Sequence, residues 1–215
     1  MKIYEKIEQR SVEWFEVKWG KIGGTLSKGL NVKSDTLFLE LFSQRIEEFE
    51  PSDEFDTAAT ARGKDLEPFA IQYLQDYTGY KFNDFGWIQS TRNELIGISP
   101  DGLTEDLTIG AEVKCFGRKK HTEVIVSQEI PNDNVSQCVH YFTANHKLEK
   151  LYFCCFRPES VKSFVKEITL DSLVNIGTNA RPRLVTVRDA RDLSLVQADK
   201  LLIKLQNAEK QINSI

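Results

Sequence analysis

The sequence predicts an α/β protein in which a mixed central β-sheet is flanked by helices and followed by a C-terminal helix. Two observations carry this. Segments with helical spacing of apolar residues lie on either side of a group of short aromatic and β-branched segments. Lys150 to Arg157 is a near-continuous apolar run, as expected of a strand buried on both faces of a central sheet.

The elements follow in order. Residues 10–20 read as a helix with Trp14, Phe15 and Val17 inward, and Gly20, Gly23 and Gly24 turn the chain before another helical start. Residues 35–49 place Leu37, Leu39, Leu41, Phe42 and Ile46 at helical spacing, until Pro51-Ser52-Asp53 breaks the run. A long helix covers 57–78 and stops at Gly79. Strands are expected at 80–90 and 95–99, joined by a turn at 91–94, and at 109–116. A helix at 133–145, the buried strand at 150–157 and an edge strand at 161–169 follow. The last helix, 189–213, carries a stripe of Leu195, Ala198, Leu201, Leu202, Leu205, Ala208 and Ile212, which suits either the core or a second subunit.

Composition narrows the class. A chain of 215 residues with 40% hydrophobic content fits one domain with a full core. No apolar run approaches the roughly 20 residues that span a bilayer. The first residues are charged and show no apolar signal segment. Cys115, Cys138, Cys154 and Cys155 form no C-x-x-C pair and read as reduced core residues of a cytoplasmic protein. The net charge of −4 gives no global sign of nucleic-acid binding. Basic residues are local: Lys18, Lys21, Lys28 and Lys33 near the N-terminus, and Arg118, Lys119 and Lys120 after the strand at 109–116.

The chemistry is concentrated in Ser99-Pro100-Asp101 and Glu112-Val113-Lys114. Residues two apart on a strand share a face, so Glu112 and Lys114 point one way, and Ala111, Val113 and Cys115 the other. If the chain folds back to bring in Asp101, two carboxylates and an ammonium converge. That set suits a hard divalent cation and an attacking water, the chemistry of phosphodiester hydrolysis. Each part alone is weak. Pro-Asp-Gly is an ordinary turn, and Glu-Val-Lys occurs on many half-exposed strands. Glu67 shares a helical stripe with Ala70, Ile71 and Leu74, which places it either in a charged site or at a stripe edge, snorkelling to solvent. Gln137 shares a face with Tyr141 and Ala144, although a lone glutamine more often lies on the surface.

Taken in order, these residues resemble the PD-(D/E)XK nuclease superfamily, and within it the phage lambda-type exonucleases, or YqaJ-like viral recombinases. Trp14-x-x-x-Lys18-x-x-x-Ile22-Gly23-Gly24-Thr25 is similar to that group's Trp…Arg…Ile-Gly/Thr-Ala/Gly-Ser segment. Gly63 to Glu67 matches its Gly-x-x-x-Glu helix. Asp101 with Glu112-Val113-Lys114, and then Gln137 ahead of the aromatic strand at Tyr152-Phe153, complete the set. The match runs from residue 14 to about 157; residues 160–215 carry little recognisable signal.

The resemblance implies a restriction-endonuclease-like fold and a single nuclease domain over 1–215, with the catalytic core at about 55–160 and a helical element at about 189–213. It implies that Asp101 and Glu112 bind catalytic magnesium, with the Val113 carbonyl as a further ligand and Glu67 serving a second metal or its water shell. Two metals per site are implied, with manganese as a substitute. Lys114 would orient and activate the attacking water, and Gln137 would hold that lysine or the scissile nucleotide. Lys18 and Thr25 fall at positions that contact a terminal 5′ phosphate. The group usually has arginine where this chain has Lys18, which keeps the charge and loses the bidentate grip. The run from Arg118 and Lys119 to His121 is unusually basic and is expected to track the DNA backbone.

The implied activity is a magnesium-dependent exonuclease that digests one strand of linear duplex DNA, 5′ to 3′, to leave single strands for recombination. A ring-shaped trimer, a strand-annealing partner, a phage or prophage origin in a bacterial cytoplasm and no membrane role accompany it. Two alternatives stand: an endonuclease of the restriction or junction-cleaving kind, and a non-catalytic DNA-binding module.

Overall fold

The structure is a computed structural model describing residues 1–32, 34–50 and 58–214, with 58–60 as backbone only. The break at Pro51-Ser52-Asp53, the helix start at residue 57 and Lys33 lie outside the described residues.

In chain order the elements are β1 (Lys2–Tyr4), α1 (Val12–Lys18), a 3-10 helix (Leu26–Asn31), α2 (Thr36–Ile46), α3 (Ala58–Thr78), β2 (Trp87–Gln89), β3 (Gly97–Ile98), β4 (Gly102–Leu103), β5 (Ile109–Lys114), α4 (Arg118–Ser127), α5 (Asn132–Ala144), β6 (Lys150–Cys155), β7 (Phe164–Thr169), β8 (Leu173–Asn175), β9 (Leu184–Thr186) and α6 (Val187–Ile212). The boundaries have local causes. Ser11 caps α1, its hydroxyl accepting from the Trp14 N–H at 3.2 Å, and Thr186 caps α6 by accepting from Asp189 N–H at 3.1 Å. Gly79, at φ +76°, stops α3 while its N–H returns to the Gln75 carbonyl.

The central sheet has the order β4-β5-β6-β7. β5 and β6 run parallel, joined by a crossover through α4 and α5, and the outer pairs are antiparallel. A smaller antiparallel sheet, β1-β2-β3, stands beside it, and β8-β9 form a hairpin. The mixed sheet flanked by helices is the predicted architecture. The strands expected at 80–90 and 95–99 are much shorter, reduced to β2 and β3. Side chains and isolated bridges take the backbone groups that a ladder would use: the Gln75 amide oxygen accepts from Phe82 N–H at 2.9 Å, and Asn83 bridges to Leu103.

β5 alternates as its sequence requires. Ala111 and Val113 face a cluster formed with Ala70 and Leu74 of α3, Phe82, Tyr152 and Cys154, while Glu112 and Lys114 take the other face. The larger core joins α2, α5 and α6 to the other side of the sheet. The C-terminal stripe belongs to this core through Leu195, Ala198 and Leu205, and Ile212 falls beyond it, exposed. Cys115, Cys138, Cys154 and Cys155 are free thiols, all but Cys115 buried. Among the described residues no helix is long and apolar enough to cross a membrane.

Candidate active site

Asp101 is the residue before β4, and the antiparallel β4–β5 pairing sets Gly102 opposite Ala111. This folds the turn aspartate onto the Glu-Val-Lys strand. Oδ2 of Asp101 accepts from the Val113 N–H at 2.7 Å, fixing the carboxylate between Glu112 and Lys114. The Tyr141 hydroxyl joins the two strands from α5, accepting from Asp101 N–H at 3.1 Å and donating to the Ala111 carbonyl at 3.0 Å. Glu112 is fully buried; the Lys114 ammonium makes ion-pair contact with its Oε1, and its Oε2 has no hydrogen-bond partner among the described residues.

The charges strain against one another. Burial and the neighbouring Glu112 charge push Asp101 well above the usual carboxylate range, against the pull of Lys114. Burial raises Glu67 too, opposed by the positive charges of Arg10 and Lys114. Burial disfavours the Lys114 ammonium, but Glu112 and Asp101 outweigh it and raise its pKa. Two crowded carboxylates, one with an orphaned buried oxygen, are the electrostatic condition that a divalent cation relieves. Among the described residues no three acid, histidine or cysteine side chains form a closed cage. A set of two carboxylates suits a cation that keeps several of its waters, as magnesium does.

A cavity of about 770 Å³ opens beside this cluster; Glu67, Asp101, Val113 and Lys114 line it together with Lys18, Thr25 and Gln137. The second group comes from α1, the glycine loop and α5. The Trp14 indole N–H lies 3.0 Å from both the Gly86 carbonyl and the Ser99 hydroxyl, and the Lys18 ammonium sits 3.2 Å from a Trp14 ring centroid. Gly24 is packed against Gln137 so closely that a Cβ would come within 3.0 Å of Cγ. One turn along α5, His140 Nε2 is 2.9 Å from each of the carbonyls of Ile22 and Gly97. Both partners are acceptors, so Nε2 carries the hydrogen, which leaves Nδ1 buried without a partner among the described residues. His140 therefore ties the glycine loop to β3, which leads into Asp101.

Burial lowers the His140 pKa, an effect that its two carbonyl contacts oppose. A histidine depressed in the folded state contributes stability that is present above its unfolded value, about 6.5, and lost as pH falls through the folded value. Urea unfolding below about pH 6.5 should show a loss of up to ~1.4 kcal/mol per pH unit from this residue. His140→Gln, which keeps an N–H donor and does not titrate, should remove that part of the slope; an unchanged slope would exclude His140 as its source.

Arg118 and Lys119 do not line this cavity. They are exposed in the first turn of α4, a helix the sequence reading did not anticipate. The basic run is divided by helical periodicity: Lys120 approaches Asp133 at 3.6 Å, and His121 turns inward to Cys155 and the Lys162 carbonyl. Sequence reasoning also passed over Arg10, Ser99, His140 and Tyr141 as site residues. Tyr141 was within reach, four residues after Gln137 on one face; the others depend on contacts between distant segments.

Residues 13–145 match the YqaJ-like viral recombinase domain. The chain belongs to that family. Comparison with curated proteins finds no match. Among solved structures, an alkaline exonuclease from Laribacter hongkongensis is similar over 95% of this chain and 99% of its own, at 20% identity and a TM-score of 0.74. The same enzyme in complex with dAMP matches with equal coverage and TM-score at 21% identity. At that identity the likeness concerns the fold. This YqaJ-like domain therefore shares its overall fold with an exonuclease scaffold.

Proposed function

We propose that this YqaJ-like protein is a divalent-metal-dependent deoxyribonuclease, an exonuclease that digests one strand of linear duplex DNA from its 5′ end and leaves single strands for recombination. One observation carries the reading: Asp101, Glu112 and Lys114 converge beside a cavity whose lining also includes Lys18, Thr25 and Gln137. The carboxylate–lysine cluster and a set of polar side chains thus share one chamber. The family and the exonuclease fold support the same reading.

In this proposal Asp101 and Glu112 hold magnesium together with the Val113 carbonyl, and Glu67 serves a second metal or its water shell; manganese serves in place of magnesium. Bound metal supplies the Lewis acidity that makes a coordinated water a nucleophile near neutral pH. Lys114, held protonated by the two carboxylates, positions the attacking water. Gln137 holds the scissile nucleotide, while Lys18 and Thr25 take the terminal 5′ phosphate. Arg118 and Lys119, outside the cavity, contact the duplex backbone farther from the cut. We assign this work to a single domain over 1–215 in the host cytoplasm. A trimer and a strand-annealing partner extend the proposal.

A time course with magnesium on end-labelled linear duplex, with and without a 5′ phosphate and beside a covalently closed circle, tests it. The expected result is stepwise loss of one strand of the linear DNA from the 5′ end and an intact circle. Cutting of the circle would establish an endonuclease instead, and binding without metal-dependent cleavage a DNA-binding module.

A further inference from the structure

Arg10 is the third residue of a turn that the Ser11 N–H closes on the Glu8 carbonyl. It has φ +72°, the left-handed region, where a residue without Cβ is at ease and an arginine is not. The segment leading to it is held on both sides. Gly86 accommodates it so closely that a Cβ there would lie 1.9 Å from the Ile7 carbonyl oxygen. Gln9 donates to the Pro100 carbonyl at 3.0 Å, one residue before Asp101, and reaches Asp84 at 3.4 Å. Ser11 N–H bonds to the Glu8 carbonyl, and Ser11 then caps α1. The backbone is thus committed to an unfavourable conformation at a position presenting a guanidinium.

Arg10 lines the cavity with Glu67, Asp101 and Lys114. Among the described residues its side chain has no hydrogen bond or ion pair, although its charge acts on Glu67. The turn thus sets an arginine at the cavity wall, beside the carboxylates of the site. A guanidinium presents a planar fork of donors matched to phosphate oxygens, the geometry that Lys18 lacks.

We propose that Arg10 is a substrate-binding residue that grips a backbone phosphate of the DNA on the Glu67 side of the cavity, supplying the bidentate contact that a lysine at position 18 does not. The proposal rests on the nuclease reading, because it takes the cavity's ligand to be DNA. The left-handed backbone makes the test sharp, because Arg10→Gly should relieve the conformation while deleting the grip.

Duplex affinity is measured without divalent metal at a series of salt concentrations for the wild type, Arg10→Gly and Arg10→Lys, together with thermal midpoints. Arg10→Gly should hold or raise the thermal midpoint, weaken binding about five- to tenfold near 0.1 M salt and reduce the slope of log K against log [salt] by ~0.9, the value of one phosphate contact. Arg10→Lys should recover the slope but not the full affinity. A wild-type slope and affinity in Arg10→Gly would overturn the proposal and leave the nuclease reading standing. A lowered midpoint with an unchanged slope would do the same, making Arg10 structural. Absence of salt-dependent duplex binding by the wild type would also overturn this inference, and the magnesium time course on linear DNA decides the nuclease reading separately.

Discussion

Lys114→Ala is expected to reduce cleavage by roughly 10³-fold or more while duplex binding stays measurable, because a positioned charge beside the attacking group acts mainly in the transition state. The substitution also isolates Glu112. A fully buried carboxylate that loses its ammonium partner costs the fold about 3–5 kcal/mol, unless it takes up a proton. Loss of activity must therefore be separated from loss of structure. Binding measured by fluorescence anisotropy and unfolding measured with and without magnesium make that separation. Magnesium should return much of the lost stability by supplying the missing positive charge, while cleavage stays absent. Turnover near the wild-type rate would remove Lys114 from the mechanism.

Asp101→Asn should have the opposite signature. Its carboxylate is crowded by Glu112, and its Oδ2 accepts one backbone N–H that an amide oxygen can still accept. The metal-free protein should be as stable as the wild type or more so, since a like-charge repulsion is removed with the Val113 contact intact. Magnesium and manganese affinity should drop by an order of magnitude or more, with cleavage lost, since an amide is a poorer ligand for a hard cation. Calorimetric titration decides: unchanged metal affinity would contradict the ligand role, and a large fall in stability would mark Asp101 as a structural residue. Asparagine is the informative replacement here, since alanine would also delete the acceptor for Val113.

Much of this arrangement was legible in the chain. Period-two alternation placed Glu112 and Lys114 opposite Ala111 and Val113, and the β4–β5 pairing bears that out. The apolar run at 150–157 marked a central strand, and β6 is central and buried. The stripe of Glu67 with Ala70 and Leu74 turned one face of α3 inward, with Glu67 at the cavity. Other parts had no local signal. Aromatic and β-branched content over 80–90 predicted one long strand, but in its first half side-chain acceptors such as Gln75 and the bridge to Leu103 took the hydrogen bonds. α4 was hidden because its basic first turn reads as a surface loop until His121 and Val124 are seen to be buried. Arg10 and His140 were illegible for a simpler reason. Their roles depend on the Gly86–Ile7 approach and on carbonyls well over a hundred and about forty residues away in sequence, which no local pattern encodes.

α5 presents Gln137, His140 and Tyr141 within little more than one helical turn, one against the glycine loop, one tied to the Ile22 and Gly97 carbonyls, and one bonded to the Asp101 and Ala111 backbones. Consecutive residues of a helix are separated by a fixed rise of about 1.5 Å. The glycine loop and the turn at Asp101 are thus both registered against one rigid rod. On the proposed reading, α5 is the gauge that keeps the end-holding loop and the cleaving carboxylates in fixed register.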